Sequence, residues 1–531
     1  MAVLLPCFGA VGRSSVVGRR PLVRRRRDAL ARSRPNLAAR ASSALPPFPL
    51  PGTPTAAWEG AAARSMAAFM LPTAAMPLAD PLLSLVDTAA VGRCCPTASL
   101  AALAPNIQVF TFWSYLLSGL NAAALREVSA RLAEGDGDGA DRLASASLAL
   151  AGGVGLVAGG ITLAAGRALL AATGVADPSL VTAGLGYLRA RAAGTPLVLT
   201  AAVCQALLLA RGDTASPLAW AGVQVAANVA GDALLVWWAG AGLTGAALAT
   251  VAAQALGTAG LLRAVCAGGA GRGVPTWAGL RQTFRPFDLA TGGVGGASAA
   301  TGGGGGASAA SPASTLFRTV APITAVYALK MAAYWTIQGA AACLPTTLLA
   351  AHMPVFAAWN LAAFALTPLE AAALRFCVKE PGTDRRRAAA LARVVLFRCG
   401  GVLGLAGGLL AAFSAACCGG LFSPSPALWP LMRGLAPQAG LATLACAADV
   451  AATGVLVASG RPRTVVASMA GALAAVVAFR VLVISTAPVG PARLGLVWWA
   501  LVLFFVVRAA GSVGGLWVGG LLGGRGSGAC V

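Results

Sequence analysis

The sequence predicts an all-α polytopic membrane protein, with twelve transmembrane helices in two pseudo-symmetric six-helix lobes, and three observations carry that prediction. Hydrophobic residues make up 58% of 531, only 11% are charged, and mean hydropathy is +0.77, far from the balance of a soluble globular domain. Apolar runs of bilayer length recur twelve times, near 66–91, 99–123, 143–172, 182–208, 217–239, 243–265, 318–342, 345–372, 392–416, 427–450, 454–486 and 493–519. A flexible Gly/Ser/Ala tract from Thr291 to Ser314, too poor in apolar bulk to span anything, divides the runs six and six.

This pattern sets five regions: an arm at 1–64, an N-lobe at 65–266, a linker at 267–317, a C-lobe at 318–522 and a tail at 523–531. The arm holds eleven arginines, Arg24 to Arg27 among them, against only Asp28 and Glu59, with serines between and no apolar segment of the secretory type. That is the composition of an organelle transit peptide, and composition alone leaves plastid and mitochondrion open. The net charge of +22 is dispersed through the arm and short loops rather than gathered on one face, so nucleic acid is not expected as a partner. Arginine crowds the loops on the side of the arm: Arg126, Arg131, Arg142, Arg211, Arg272, Arg281, Arg285, Arg375, Arg385 to Arg387, Arg461 and Arg463, with Lys379. By the positive-inside rule this basic face lies in the cytosol or plastid stroma. The twelve cysteines form no CxxC, and the adjacent pairs Cys94–Cys95 and Cys417–Cys418 read as small helix residues rather than disulfides.

The halves read as copies. Ala122–Arg126 and Ala371–Arg375 both spell AAALR at an offset of 249, and Leu100–Ala102 returns as Leu349–Ala351 at the same offset. Internal repeats with a substrate site at their interface are a recurring transporter plan.

The first run, read as one long helix, carries Asp80, Ser84 and Asp87, spaced four and three so that they share a stripe. A carboxylate costs roughly 2.5–3.5 kcal/mol in a spanning helix and generally faces a wet cavity or ion path. Gln224, Asn228 and Asp232 form a second stripe at steps of four on the fifth run, and Thr250 with Gln254 a third on the sixth. Carboxylates apposed in a low-dielectric pocket cannot all ionise, so such a site can load and release a proton, or hold Na⁺ on its oxygens. Bridging between helices by plain hydrogen bonds is the competing structural reading.

The second half differs. Its seventh run has Lys330, Tyr334 and Gln338 at steps of four, and the eighth has His352, Phe356, Trp359 and Asn360. A buried ammonium among amide and phenol neighbours suits an anionic or carboxylated aromatic solute, unless Lys330 reaches an interface or pairs with Glu370. His352 reads as a satisfied packing residue rather than a proton relay. Trp237–Trp238 and Trp498–Trp499 read as interfacial belt residues, and GGVGLVAGG at Gly152–Gly160 as a membrane packing stripe. There is no Walker A motif and no His/Cys ligand cluster, so neither an enzyme nor a metal or other cofactor is expected.

DPLLSLVDTAAVGR at Asp80–Arg93, GTPLVLTAAVCQALLLARGDTASPL at Gly194–Leu218, NVAGDALLV at Asn228–Val236 and GLTGAALATVAAQ at Gly242–Gln254 together resemble the multidrug and toxic compound extrusion (MATE) family, particularly its plant and algal organellar branch. In the C-terminal half the resemblance rests on the repeat relation and on Ala452–Met469. It implies a two-lobed antiporter that exports small organic solutes against H⁺ or Na⁺ as coupling ion. Residue by residue it implies coupling roles for Asp87, Asn228, Asp232 and Thr250, with Asp80 as the extra acid of the plant-type first helix. Gln224, Gln254, Lys330, Tyr334, Gln338, Trp359 and Asn360 are the candidate solute contacts. Thr453-Gly454-Val455 stands where relatives show Asp-Gly-Val, which puts a C-lobe cation site in doubt. The expected setting is a plastid envelope, with a monomer in contact with membrane lipid; a lipid-linked precursor flippase and a non-transporting scaffold are the alternatives.

Overall fold

The computed structural model describes residues 56–74, 77–116, 118–175, 177–269, 271–275, 312–377 and 385–522 as helices joined by turns, with no strand among them. The N-terminal half contributes α1 (Ala56–Ala74), α2 (Ala79–Cys94), α3 (Thr97–Leu116), α4 (Ser118–Ala133), α5 (Gly137–Ala172), α6 (Pro178–Ala210), α7 (Ala215–Asp232) and α8 (Gly242–Cys266). The C-terminal half contributes α9 (Pro312–Ala342), α10 (Thr346–Phe364), α11 (Thr367–Phe376), α12 (Arg385–Arg393), α13 (Gly401–Cys417), α14 (Ala436–Ala458), α15 (Pro462–Phe479) and α16 (Pro491–Val518). Ten helical stretches among the described residues are long and apolar enough to cross a membrane, and the α1–α2 pair and α9 occupy the two remaining runs. Most of the arm, the linker and the tail lie outside the described residues.

The repeat is visible in irregular features. Pro105 inside α3 and Pro354 inside α10 stand 249 residues apart, the offset of the matching strings. In each half the fifth crossing ends in a π turn, Ala233–Trp238 after α7 and Arg480–Ile484 after α15. Leu120, Val203 and Leu261 belong to one apolar core joining α4, α6 and α8, while Leu349, Val455 and Phe504 belong to another joining α10, α14 and α16.

Among the boundaries that differ from the sequence reading, α9 begins at Pro312, inside the stretch assigned to the linker, and two further cases have a physical reason. The first crossing is not one helix: α1 ends at Ala74 and α2 begins at Ala79. Pro77 in this gap has no amide hydrogen to continue the ladder, and it disfavours helical backbone at the residue before it. α1 also begins at Ala56, within the stretch assigned to the arm, and it packs on the other half of the chain. Glu59 ion-pairs with Arg393 at 3.0 Å and Arg398 at 3.6 Å, and Phe69 meets Phe376 edge-on. The second difference is the break between the tenth and eleventh crossings, which falls at Ser459–Arg461 rather than near 451–453. Gly454 keeps helical backbone within α14 and lets it pack so closely on α11 that a side chain there would strike Ala373 and Glu370, whereas Gly460 takes the positive φ of +74° that ends the helix.

Only part of the Gly152–Gly160 stripe is a packing surface. A Cβ on Gly155 would lie 2.5 Å from the Pro196 backbone and one on Gly159 would lie 2.7 Å from the Ala192 carbonyl, so α5 and α6 cross in direct contact there. Gly152, Gly153 and Gly160 face open space. Gly155→Val is therefore expected to lower stability by about 1–3 kcal/mol through overpacking, while Gly160→Val is expected to be near neutral; thermal unfolding of the purified variants checks the contrast.

Candidate functional site

Three helices bring the first-half candidates together. Asp87 projects from α2, Asn228 from α7 and Thr250 from α8, and all three are buried. Asn228 Nδ2 donates to Asp87 Oδ1 at 2.7 Å and to Asp232 Oδ2 at 3.2 Å, so a single amide nitrogen bridges two carboxyl groups from different helices. The Thr250 hydroxyl lies 3.0 Å from Asp87 Oδ2 and 2.8 Å from the Ala246 carbonyl. The close approach depends on Gly231, where a Cβ would stand 2.8 Å from that of Ala249 on α8. Asp232 is the last residue before the α7 backbone widens into its π turn, a feature that often marks functional sites.

The remaining lone pairs point to what this arrangement can hold. Asn228 Oδ1 and Asp232 Oδ1 are buried with no hydrogen-bond partner, and carboxyl groups this close accommodate one proton or one cation more readily than two bare negative charges. The donor set is all oxygen, which suits H⁺ or a hard cation such as Na⁺. Asp80 sits in the first turn of α2, and its side chain lies outside the described residues.

Asp87 and Thr250 also face a cavity of about 190 Å³ between the two halves. Gln254, Tyr334 and Asn360 line it, with Phe110, Trp113, Tyr187, Arg191, Thr195 and Phe356, so three of the expected solute contacts share one space. The other four do not line it. Gln224 packs beside Gly257 of α8, Gln338 borders a smaller adjoining pocket, and Trp359 is fully buried beneath Phe356. Lys330 stands 5.9 Å from the Tyr334 ring and does not line the cavity; Arg508 and Glu370 are among the charges near it. His352 is satisfied on both ring nitrogens: Nδ1 accepts from Trp498 Nε1 at 3.1 Å and Nε2 faces Gln338 Oε1 at 2.9 Å, which fixes the neutral tautomer. That bond also corrects the reading of Trp498 as an interfacial residue, because it is only 1% exposed, whereas Trp237 and Trp238 are about 80% exposed.

Three basic or polar groups were missed in the sequence. Arg191 and Thr195 on α6 line the cavity, and Arg508 on α16 pairs with Asp449 of α14 at 2.9 Å in the C-terminal core. The available signal was an arginine in the middle of an apolar run, which is as costly as the carboxylates that drew attention. With Thr453 donating to Asp449 at 3.2 Å and Arg508 paired to it, Asp449 already has its cation.

On the face opposite the basic loops the halves are latched. Trp335 Nε1 donates to the Ala172 carbonyl at 3.3 Å, Cys343 Sγ meets the Gly174 carbonyl at 3.1 Å, and Thr346 donates to Asp177 at 3.1 Å. Hydrogen bonds from Ser179, then from Thr346, hold the Asp177 carboxyl below its ordinary range, so its share of the latch is present at neutral pH and is lost as pH falls through that lowered value.

The MatE family model matches residues 72–234, the segment that carries Asp87, Asn228 and Asp232. Over that segment the chain is similar to the MATE family. Its fold extends the match: an inward-facing multidrug resistance MATE family transporter of the MOP superfamily superimposes with a TM-score of 0.65 at 18% identity, covering 84% of this chain and 98% of that one. A eukaryotic MATE transporter superimposes with a TM-score of 0.59 at 13% identity, over 85% and 94%. In sequence, the Arabidopsis thaliana protein DETOXIFICATION 44, chloroplastic, is 33% identical over 197 residues, which are 35% of this chain and 38% of that protein. Its chloroplastic relative DETOXIFICATION 47 is 29% identical over 187 residues, 35% and 34% respectively. The matched segments thus span little more than a third of those relatives' own length.

Replacing Asn228 by alanine removes the donor shared by two buried carboxyls. A loss of about 1–3 kcal/mol is expected from the unsatisfied groups, read as a lower unfolding temperature that Asn228→Gln partly restores.

Proposed function

We propose that this protein is a secondary active antiporter that moves small organic solutes across its membrane by alternating access, driven by H⁺ or Na⁺. The observation that supports this most is the Asp87–Asn228–Asp232–Thr250 network opening onto the cavity between the halves. Two carboxyl groups sharing one positive charge form a site whose occupancy changes with the cation concentration of whichever compartment has access to it. Rocking of the halves about the latch would expose the same cavity to each face in turn. Aromatic lining by Phe110, Trp113, Tyr334 and Phe356 favours a planar organic solute over a small inorganic one. The setting we infer is the plastid envelope, supported by the Arg-rich arm and by the chloroplastic names of the two sequence relatives.

Uptake into proteoliposomes under imposed H⁺ or Na⁺ gradients tests the reading. Wild type is expected to concentrate solute under at least one gradient, and Asp87→Asn to fall about tenfold or more, as expected for losing a charge-assisted interaction of ~1.5 kcal/mol or more. Equal uptake by the two proteins under both gradients would overturn coupling through this site.

A further inference from the structure

Arg191 is a cavity-lining cation outside the hydrogen-bonded Asp87–Asn228–Asp232–Thr250 network, although its charge reaches Asp87. Its guanidinium lies over the Phe110 ring, 5.2 Å from the centroid, and both Nε and Nη1 are buried without a hydrogen-bond partner. Among the described residues no carboxylate stands within ion-pairing distance of it, although Asp87 lines the same cavity. Two other arginines of the apolar crossings are bound within the protein: Arg508 is held by Asp449, and Arg480 donates to the Thr336 carbonyl at 3.0 Å. One turn further along α6, Thr195 is 6% exposed and its hydroxyl is likewise buried and unpartnered.

We propose that Arg191 and Thr195 form an anion subsite in the cavity, and that it selects solutes carrying a carboxylate on an aromatic ring. A guanidinium that always carries its charge and is left unbonded in a low-dielectric space gains most from an oxyanion, with which it makes hydrogen bonds about twice as strong as neutral ones. Cation–π contact with Phe110 orients it but leaves its N–H groups free to donate. The ring of such a solute has aromatic partners at Phe110, Trp113, Tyr334 and Phe356, on both sides of the interface between the halves. A cationic solute would instead meet a like charge here, which costs affinity. The subsite rests on the transporter reading, because it gives that cavity its ligand; binding itself requires no gradient, so the two can fail separately.

The test is equilibrium binding to the purified full chain in nanodiscs, read by quenching of tryptophan fluorescence or by calorimetry, with benzoate, benzamide and benzylammonium as probes. Benzoate is expected to bind about tenfold to a hundredfold more tightly than the neutral isostere benzamide, the range for a hydrogen bond to a charged group, and benzylammonium to bind more weakly than either. Arg191→Gln is expected to abolish the preference for benzoate over benzamide, and Arg191→Lys to keep part of it. Equal binding of benzoate and benzamide to wild type would overturn the subsite, as would an undiminished preference in folded Arg191→Gln. Should that variant fail to fold, the wild-type comparison alone still decides. Charge-selective binding without gradient-driven uptake would leave the subsite standing and remove the antiporter reading.

Discussion

Two carboxyl groups on different helices, joined by one amide nitrogen inside the membrane, are the constraint around which the first half of this protein is built. Asp87 and Asp232 cannot both be bare charges at that spacing in a low-dielectric core, and neither can move away without leaving Asn228 unsatisfied. Geometry elsewhere serves this contact. Gly231 brings α7 against α8, the π turn begins where Asp232 ends the regular helix, and Thr250 satisfies the second oxygen of Asp87. The break near Pro77 frees α2 to carry Asp87 into the first half while α1 packs on the second, through Glu59 and Phe69. The first crossing is therefore built into both halves.

The second half repeats the helices but not the chemistry. Where the first half sets acids against an amide, the second pairs Asp449 with Arg508 at 2.9 Å, with Glu370 and Lys330 among the neighbouring charges. Opposite charges in equal number compensate each other without an outside cation, so this cluster is suited to holding α9, α11, α14 and α16 together. A buried pair of this kind adds little net stability compared with apolar packing, but losing one partner would strand the other. His352, held between Gln338 and Trp498, completes the same structural region.

The parts of this arrangement that were legible in the sequence are those written as a helical period. Steps of four place Asn228 and Asp232 on one face, hydropathy marks the runs, and the offset of 249 shared by the repeated strings reappears in Pro105 and Pro354. What escaped depends on contacts between distant segments. An arginine in an apolar run reads alike whether it meets Asp449, as Arg508 does, or stands unbonded in a cavity, as Arg191 does. Trp498 resembles its neighbour Trp499 in sequence, yet α16 turns one toward His352 and leaves the other 42% exposed. Gly454 and Gly460 are the same residue type, but only the packing of α14 on α11 shows which one continues the helix.

The sharing of one positive charge by Asp87 and Asp232 is most directly tested by infrared difference spectroscopy of the purified protein in nanodiscs, titrated in Na⁺-free buffer. The expected result is a single protonated-carboxyl band that is lost as pH rises, that Na⁺ suppresses if it competes for the site, and that is missing or displaced in both Asp87→Asn and Asp232→Asn. A spectrum without such a band across the titration, or one whose band is unchanged in both variants, would contradict the shared charge.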